Sequence, residues 1–188
     1  MSSNLNFIAP MENYSIGKTW VAIQESVKEA GEFLIAVSEI YRNHELIHVD
    51  FNLSDVPPMI EAKCNSTDTA TRLEGEVAQV TSQNTTVEAV GLKIKTPAGG
   101  QTTEVDIVTT DYIIEVKTSS ADIDYGQLAR LTQPGDPGYF NYARKGVIYY
   151  IEDTTSAAPQ DAAKLAALEN AGVKVVSSAD ELIGVLTV

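Results

Sequence analysis

Glu104-Val105-Asp106-Ile107-Val108-Thr109-Thr110-Asp111-Tyr112-Ile113-Ile114-Glu115-Val116-Lys117 reads as two short strands meeting at a tight turn. With the turn centred on Thr110-Asp111, Thr109 faces Tyr112, Val108 faces Ile113, Ile107 faces Ile114 and Asp106 faces Glu115. Directly opposed residues share a face of the sheet, and faces alternate along each strand. One face then carries Val105, Ile107, Tyr112, Ile114 and Val116. The other carries Glu104, Asp106, Glu115 and Lys117, with Val108 and Ile113 at the turn end. Asp106 and Glu115 stand about 5 Å apart at their β-carbons, a like-charge opposition that sheets avoid. A divalent cation reverses the sign of that term, because hard ions such as Mg²⁺ take oxygen ligands and need few protein carboxylates. The hairpin reads as a metal site with an ammonium group, Lys117, beside it.

Working outward, Leu73, Val77 and Val80 recur at helical spacing and predict a helix over 71–82. A strand over 87–96 follows, then the turn Pro97-Ala98-Gly99-Gly100. Beyond the hairpin, Ser119 or Ser120 caps a helix reaching about residue 131 that carries Tyr125, Gln127, Leu128 and Arg130. A loop spans 133–138, a short helix through Tyr142 stops at Gly146, and the apolar run 147–151 reads as a buried strand. The tail adds a helix over 159–170 with Gly172 beyond its end, a strand over 173–176, and a last short helix opened by the capping box Ser178-Ala179-Asp180-Glu181.

Upstream, Trp20, Ile23, Val27, Ala30, Leu34, Val37 and Tyr41 predict an amphipathic helix over 18–42. Ile47, Val49, Phe51 and Leu53 alternate with polar residues as a half-buried strand, which Asp55-Val56-Pro57-Pro58 ends. Residues 59–68 show little periodicity and read as a joint. The expected organisation is a helix-strand extension over 1–60 and a mixed α/β domain over 61–188, with an α-β-α tail.

The spacing Asp106-x8-Glu115-x-Lys117 resembles the PD-(D/E)xK, or restriction-endonuclease-like, nuclease superfamily. Val105-Asp106 stands where that family has Pro-Asp, and Glu115-Val116-Lys117 matches its (D/E)xK. The order helix, three strands, helix, strand over roughly 70–151 is similar to the family's αβββαβ core, with the triplet on the second and third strands. The resemblance implies a Mg²⁺- or Mn²⁺-dependent nuclease cleaving phosphodiester bonds of DNA or RNA. Asp106 and Glu115 would bind the metal with the Val116 carbonyl, and Lys117 would orient or deprotonate water or stabilise charge on the phosphate. Glu74 would complete the metal site from the first helix, with Glu76 as the alternative; Thr71-x-x-Glu74 also fits a capping box. Gln127 and Arg130 would contact substrate phosphate. Within the family, a compact nuclease with a dissimilar N-terminal piece resembles effector domains of bacterial competition systems, which an immunity protein neutralises.

Composition bounds these readings. The chain has 188 residues, is 44% hydrophobic and carries 7 prolines, as expected of a folded chain. It lacks an apolar run of membrane-spanning length and a signal-peptide pattern near Met1, so a cytoplasmic site of action without membrane partners is expected. Cys64 is its one cysteine, which excludes disulfide frameworks and cysteine-based zinc sites. A net charge of −13 argues against a processive, non-specific DNA binder, since such affinity comes from basic surface. It does not argue against a compact substrate held at one site, and it suits docking of a basic partner.

Two other classes compete. The same fold can serve as a non-catalytic nucleic-acid-binding or assembly module. His44-Glu45-Leu46-Ile47-His48 is a literal HExxH, the zinc metalloprotease motif, but that chemistry needs both histidines on one helix face. Here the alternating pattern puts His48 on a strand, where the geometry fails.

Overall fold

The computed structural model describes residues 45–48, 56–95, 102–141, 144–155 and 158–187. The helix expected over 18–42, His44 of the HExxH motif and the Pro97–Gly100 turn lie outside them. The strands form one six-stranded mixed sheet in sequence order: β1 (Glu45–His48), β2 (Val87–Lys95), β3 (Thr102–Thr109), β4 (Tyr112–Ser119), β5 (Gly146–Asp153) and β6 (Lys174–Val176). β1 through β4 pair antiparallel, and β4–β5 and β5–β6 pair parallel. Glu45 to His48 is a strand and not the helix a zinc protease needs; Ile47 and His48 fall on it as expected, and residues 49–53 of the expected strand lie outside the described residues.

Helices cover both faces, as parallel strands require. On one face α1 (Val56–Cys64), α2 (Thr69–Asn84) and α5 (Ala179–Leu186) bury Ile60, Leu73, Val77 and Leu182 against Val90, Ile107, Ile114 and Ile148. On the other, α3 (Tyr125–Thr132) and α4 (Pro159–Asn170) bury Leu128, Leu131 and Leu168 against Val108, Ile113, Tyr149 and Ile151. β5 sends side chains into both clusters, which is why its sequence is almost continuously apolar.

Three local expectations are corrected. Residues 59–68 are mostly helix: Pro57 and Pro58 open α1, where their fixed φ suits the first turn and their missing N–H groups have no helical partner to lose. α1 packs against α2. The helix after β4 is capped by neither Ser119 nor Ser120. Those residues enter a 3-10 turn (Ser120–Asp122), and Asp124 caps α3 by accepting the Gly126 N–H at 2.7 Å. Gly146 opens β5 and ends no helix, and Asn141, Arg144 and Lys145 are not helical. A β-carbon on Gly146 would meet the Tyr112 ring at 2.7 Å, so glycine there lets β5 start flush against β4.

One buried ion pair pins the central hairpin. The Lys145 ammonium, just before β5, donates to Glu88 on β2 at 3.0 Å and to the carbonyls of Thr109 and Thr110 in the β3–β4 turn. Both side chains are more than nine-tenths buried. Among the described residues no helix is long and apolar enough to cross a membrane.

Candidate functional site

The hairpin register is as expected beside its turn, where Ile107 pairs with Ile114 and Val108 with Ile113. At Asp106 the pattern changes. Its Oδ2 accepts the Val116 N–H at 2.8 Å, so a side chain takes a donor that the neighbouring backbone would otherwise claim. Alternation along β3 breaks at the same place: Ile107 packs with α1 and α2, whereas Val105 packs with the α3–α4 cluster. The expected common face for Val105 and Ile107 is therefore corrected. The cause lies on β2, where Gly91 stands opposite Asp106 between the Val90–Ile107 and Leu92–Val105 pairs with φ of +64°. That is a backbone turn that glycine adopts without strain.

The irregularity brings Asp106, Glu115 and Lys117 together, and all three expected groups converge. The Lys117 ammonium lies 3.2 Å from Glu115 Oε2 and 3.8 Å from Asp106 Oδ2. Glu115 is fully buried, and its Oε1 has no hydrogen-bond partner among the described residues. Burial and the adjacent Asp106 push the Glu115 carboxyl well above its ordinary range. Burial also raises Asp106, with Glu74 adding to the effect, although Lys117 and the Val116 N–H pull the other way. For Lys117, burial favours the neutral amine, but Glu115 and Asp106 outweigh it and hold the group above its ordinary value. Lys117 is thus an ammonium that donates. On β5, Tyr149 is the register partner of Glu115, buried and without a hydroxyl partner among the described residues. Burial and the two carboxylates keep its proton on.

Asp106 and Lys117 line a polar cleft of about 370 Å³ between α1, α2 and the start of α3, with Glu115 buried behind them. A larger groove of about 600 Å³ between α1, the end of α2 and the start of β2 is lined by residues such as Ile60, Gln79 and Gln83 and has no titratable side chain. Of the two, the smaller one holds the titratable side chains.

The remaining candidates have definite places. Gln127 reaches the cleft, but its Nε2 braces the site, donating to Glu115 Oε2 at 2.6 Å and to the Glu104 carbonyl at 3.0 Å. Arg130 donates from Nε to Thr103 Oγ1 at 2.8 Å, with Asp124 3.9 Å from its Nη2. Glu74 also lines the cleft and is free of capping, because Asp68 caps α2 by accepting the Thr71 N–H at 2.8 Å. Its carboxylate is held by the Lys63 ammonium of α1. Glu76 lies exposed beside Arg72, 3.7 Å away. Among the described residues no three histidine, cysteine, aspartate or glutamate side chains converge on an ion-sized position. Glu74, paired with Lys63, still stands close enough to Asp106 and Lys117 for its charge to act on both.

No family model, curated protein or solved structure matches the chain. The site is characterised by its own geometry.

Lys63, like Thr103 and Asp124, lines the cleft without being singled out by the sequence pattern. One signal for it exists. Gly75 follows Glu74 inside α2, where glycine costs about 1 kcal/mol relative to alanine and therefore needs a reason. A β-carbon there would come within 2.4 Å of the Cys64 backbone nitrogen, so Gly75 is where α1 lies on α2 and delivers Lys63 beside Glu74.

Proposed function

We propose that this chain is a metal-dependent nuclease of the restriction-endonuclease-like type, hydrolysing phosphodiester bonds of DNA or RNA. The observation that carries the reading is the buried pair of Asp106 and Glu115 with an ammonium 3.2–3.8 Å away, at a break in the sheet that opens onto a polar cleft. The order α2, β2, β3, β4, α3, β5 supports it, since it reproduces helix, three strands, helix, strand with the triplet on the middle hairpin.

Mg²⁺ fits the donors. It is commonly bound by one or two carboxylates with the rest of its shell from water and substrate phosphate. Asp106 and Glu115 supply two, and the unpartnered Glu115 Oε1 is an acceptor in need of positive charge. Bound there, the ion would lower the pKa of a water molecule and neutralise charge in an in-line displacement at phosphorus. The side chains do the rest. Gln127 and Lys117 fix the orientation of the Glu115 carboxylate, and the Val116 N–H fixes that of Asp106. As an ammonium, Lys117 can hold the attacking water by its oxygen and offset charge on the non-bridging phosphate oxygens. Arg130, at the cleft wall, presents a guanidinium suited to the flanking phosphate.

The test is incubation of supercoiled plasmid and total tRNA with the protein and Mg²⁺. Wild-type protein is expected to cleave at least one of them. Lys117→Ala is expected to lose about 10²–10³-fold in rate, the usual scale for removing one charge-stabilising donor. Failure of the wild type on both substrates, or full activity in Lys117→Ala, overturns the proposal.

A further inference from the structure

We propose that Lys63 is a ligand for a substrate phosphate, held by Glu74 until the nucleic acid strand enters the cleft. This inference rests on the nuclease reading and extends it to a residue outside the hairpin. Two glycines serve the placement of this one ammonium. Gly75 lets the backbone at Lys63 and Cys64 approach α2, since a β-carbon there would lie 2.7 Å from the Lys63 carbonyl carbon. Gly91 lies under the amine: a β-carbon there would touch Glu104 Oε1 at 3.4 Å, Lys63 Cε at 3.6 Å and Nζ at 3.7 Å. Gly91 is also the residue opposite Asp106, so the amine stands beside the reacting end of the hairpin.

The other two cleft cations, Lys117 and Arg130, each hold at least two partners. Lys117 is shared between two buried carboxylates, and Arg130 is engaged by Thr103 and Asp124. Lys63 has three donors, and Glu74 accepts from the ammonium. The two side chains remain 17% and 19% exposed, so an incoming anion can reach them. The pair lies part-buried at the cleft wall, and a phosphate oxygen, a strong charge-assisted acceptor for lysine, can take the place of the Glu74 carboxylate. Exchange would leave Glu74 without its counter-ion, which gives the pair an asymmetry: removing the lysine harms strand binding, and removing the carboxylate helps it.

The experiment is fluorescence anisotropy of labelled single-stranded DNA and RNA oligonucleotides in EDTA, titrated with the full chain over a range of salt. Relative to wild type, Lys63→Gln is expected to weaken binding about tenfold and to flatten the salt slope by roughly one phosphate contact. Lys63→Arg is expected to retain both, and Glu74→Gln to tighten binding. A purely structural pair predicts instead that Lys63→Gln and Glu74→Gln fall together in affinity and melting temperature, and that result overturns the assignment. Wild-type affinity and slope in Lys63→Gln, with wild-type cleavage intact, overturns it alone. If wild type neither binds nor cleaves, the nuclease reading falls with it.

Discussion

Glu115→Gln is expected to abolish cleavage while making the protein more stable. Loss of a carboxylate ligand removes several kcal/mol of transition-state stabilisation, or roughly 10³-fold in rate. The stability gain comes from the same carboxylate. Glu115 is fully buried beside Asp106, and its Oε1 has no partner among the described residues. A neutral amide keeps an acceptor for Gln127 and Lys117 and removes the like-charge contact with Asp106. The gain is expected to be on the order of 1–2 kcal/mol near neutral pH, at about 2–4 °C in Tm for each kcal/mol in a chain of this size. The sign of the pH dependence follows from the direction of the shifts. Both carboxyls are raised in the fold, above ordinary values of 3.8 for Asp106 and 4.5 for Glu115. Protonation is therefore favoured by folding, and the stability it contributes is present below those values and lost as pH climbs through the raised ones. Lys117 acts at the other end, contributing below its ordinary 10.5 and losing that contribution above it. Thermal melts from pH 4 to pH 8 should show a declining limb in wild type that is flatter in Glu115→Gln. Parallel curves for the two proteins would refute the assignment of the limb to this carboxyl.

Lys145→Met carries the largest expected loss of stability. It strands the buried Glu88 carboxylate and removes the donor for the Thr109 and Thr110 carbonyls. Breaking a buried pair from one side costs about 3–5 kcal/mol. Glu88→Gln is expected to cost less, about 1–2 kcal/mol, because the ammonium keeps two carbonyl acceptors and an amide oxygen. The double variant Lys145→Met/Glu88→Gln should be more stable than Lys145→Met alone, since no charge is left without a partner. Denaturant melts of the four proteins measure the cycle. Additive losses would show that the two groups do not act as a pair. The pair matters to the site because it ties β2, the hairpin turn and the start of β5 together, and so holds Asp106 and Glu115 in register.

The sequence patterns that proved legible were short in range. The hairpin register, the α2 stripe, the buried β5 run, the α4 helix with Gly172 beyond it and the Ser178 cap all follow from periodicity and turn chemistry within a few residues. What stayed hidden depends on contacts between distant segments. α1 has little periodicity of its own and is fixed by packing at Gly75. Val105 leaves the face of Ile107 because of a bend at Gly91, fourteen positions away on another strand. Lys63 and Lys145 each act on partners far along the chain, Glu74 and Glu88, that spacing rules cannot link. The acidic hairpin was recognisable because two like charges facing each other break a local rule, and such breaks mark functional sites.

The most direct measurement of the central claim is Mn²⁺ binding to the purified chain, followed by the EPR signal of the free ion. The account predicts binding that is lost in both Asp106→Asn and Glu115→Gln and retained in Lys63→Gln. Absence of binding, or binding unchanged by either carboxylate substitution, would contradict it.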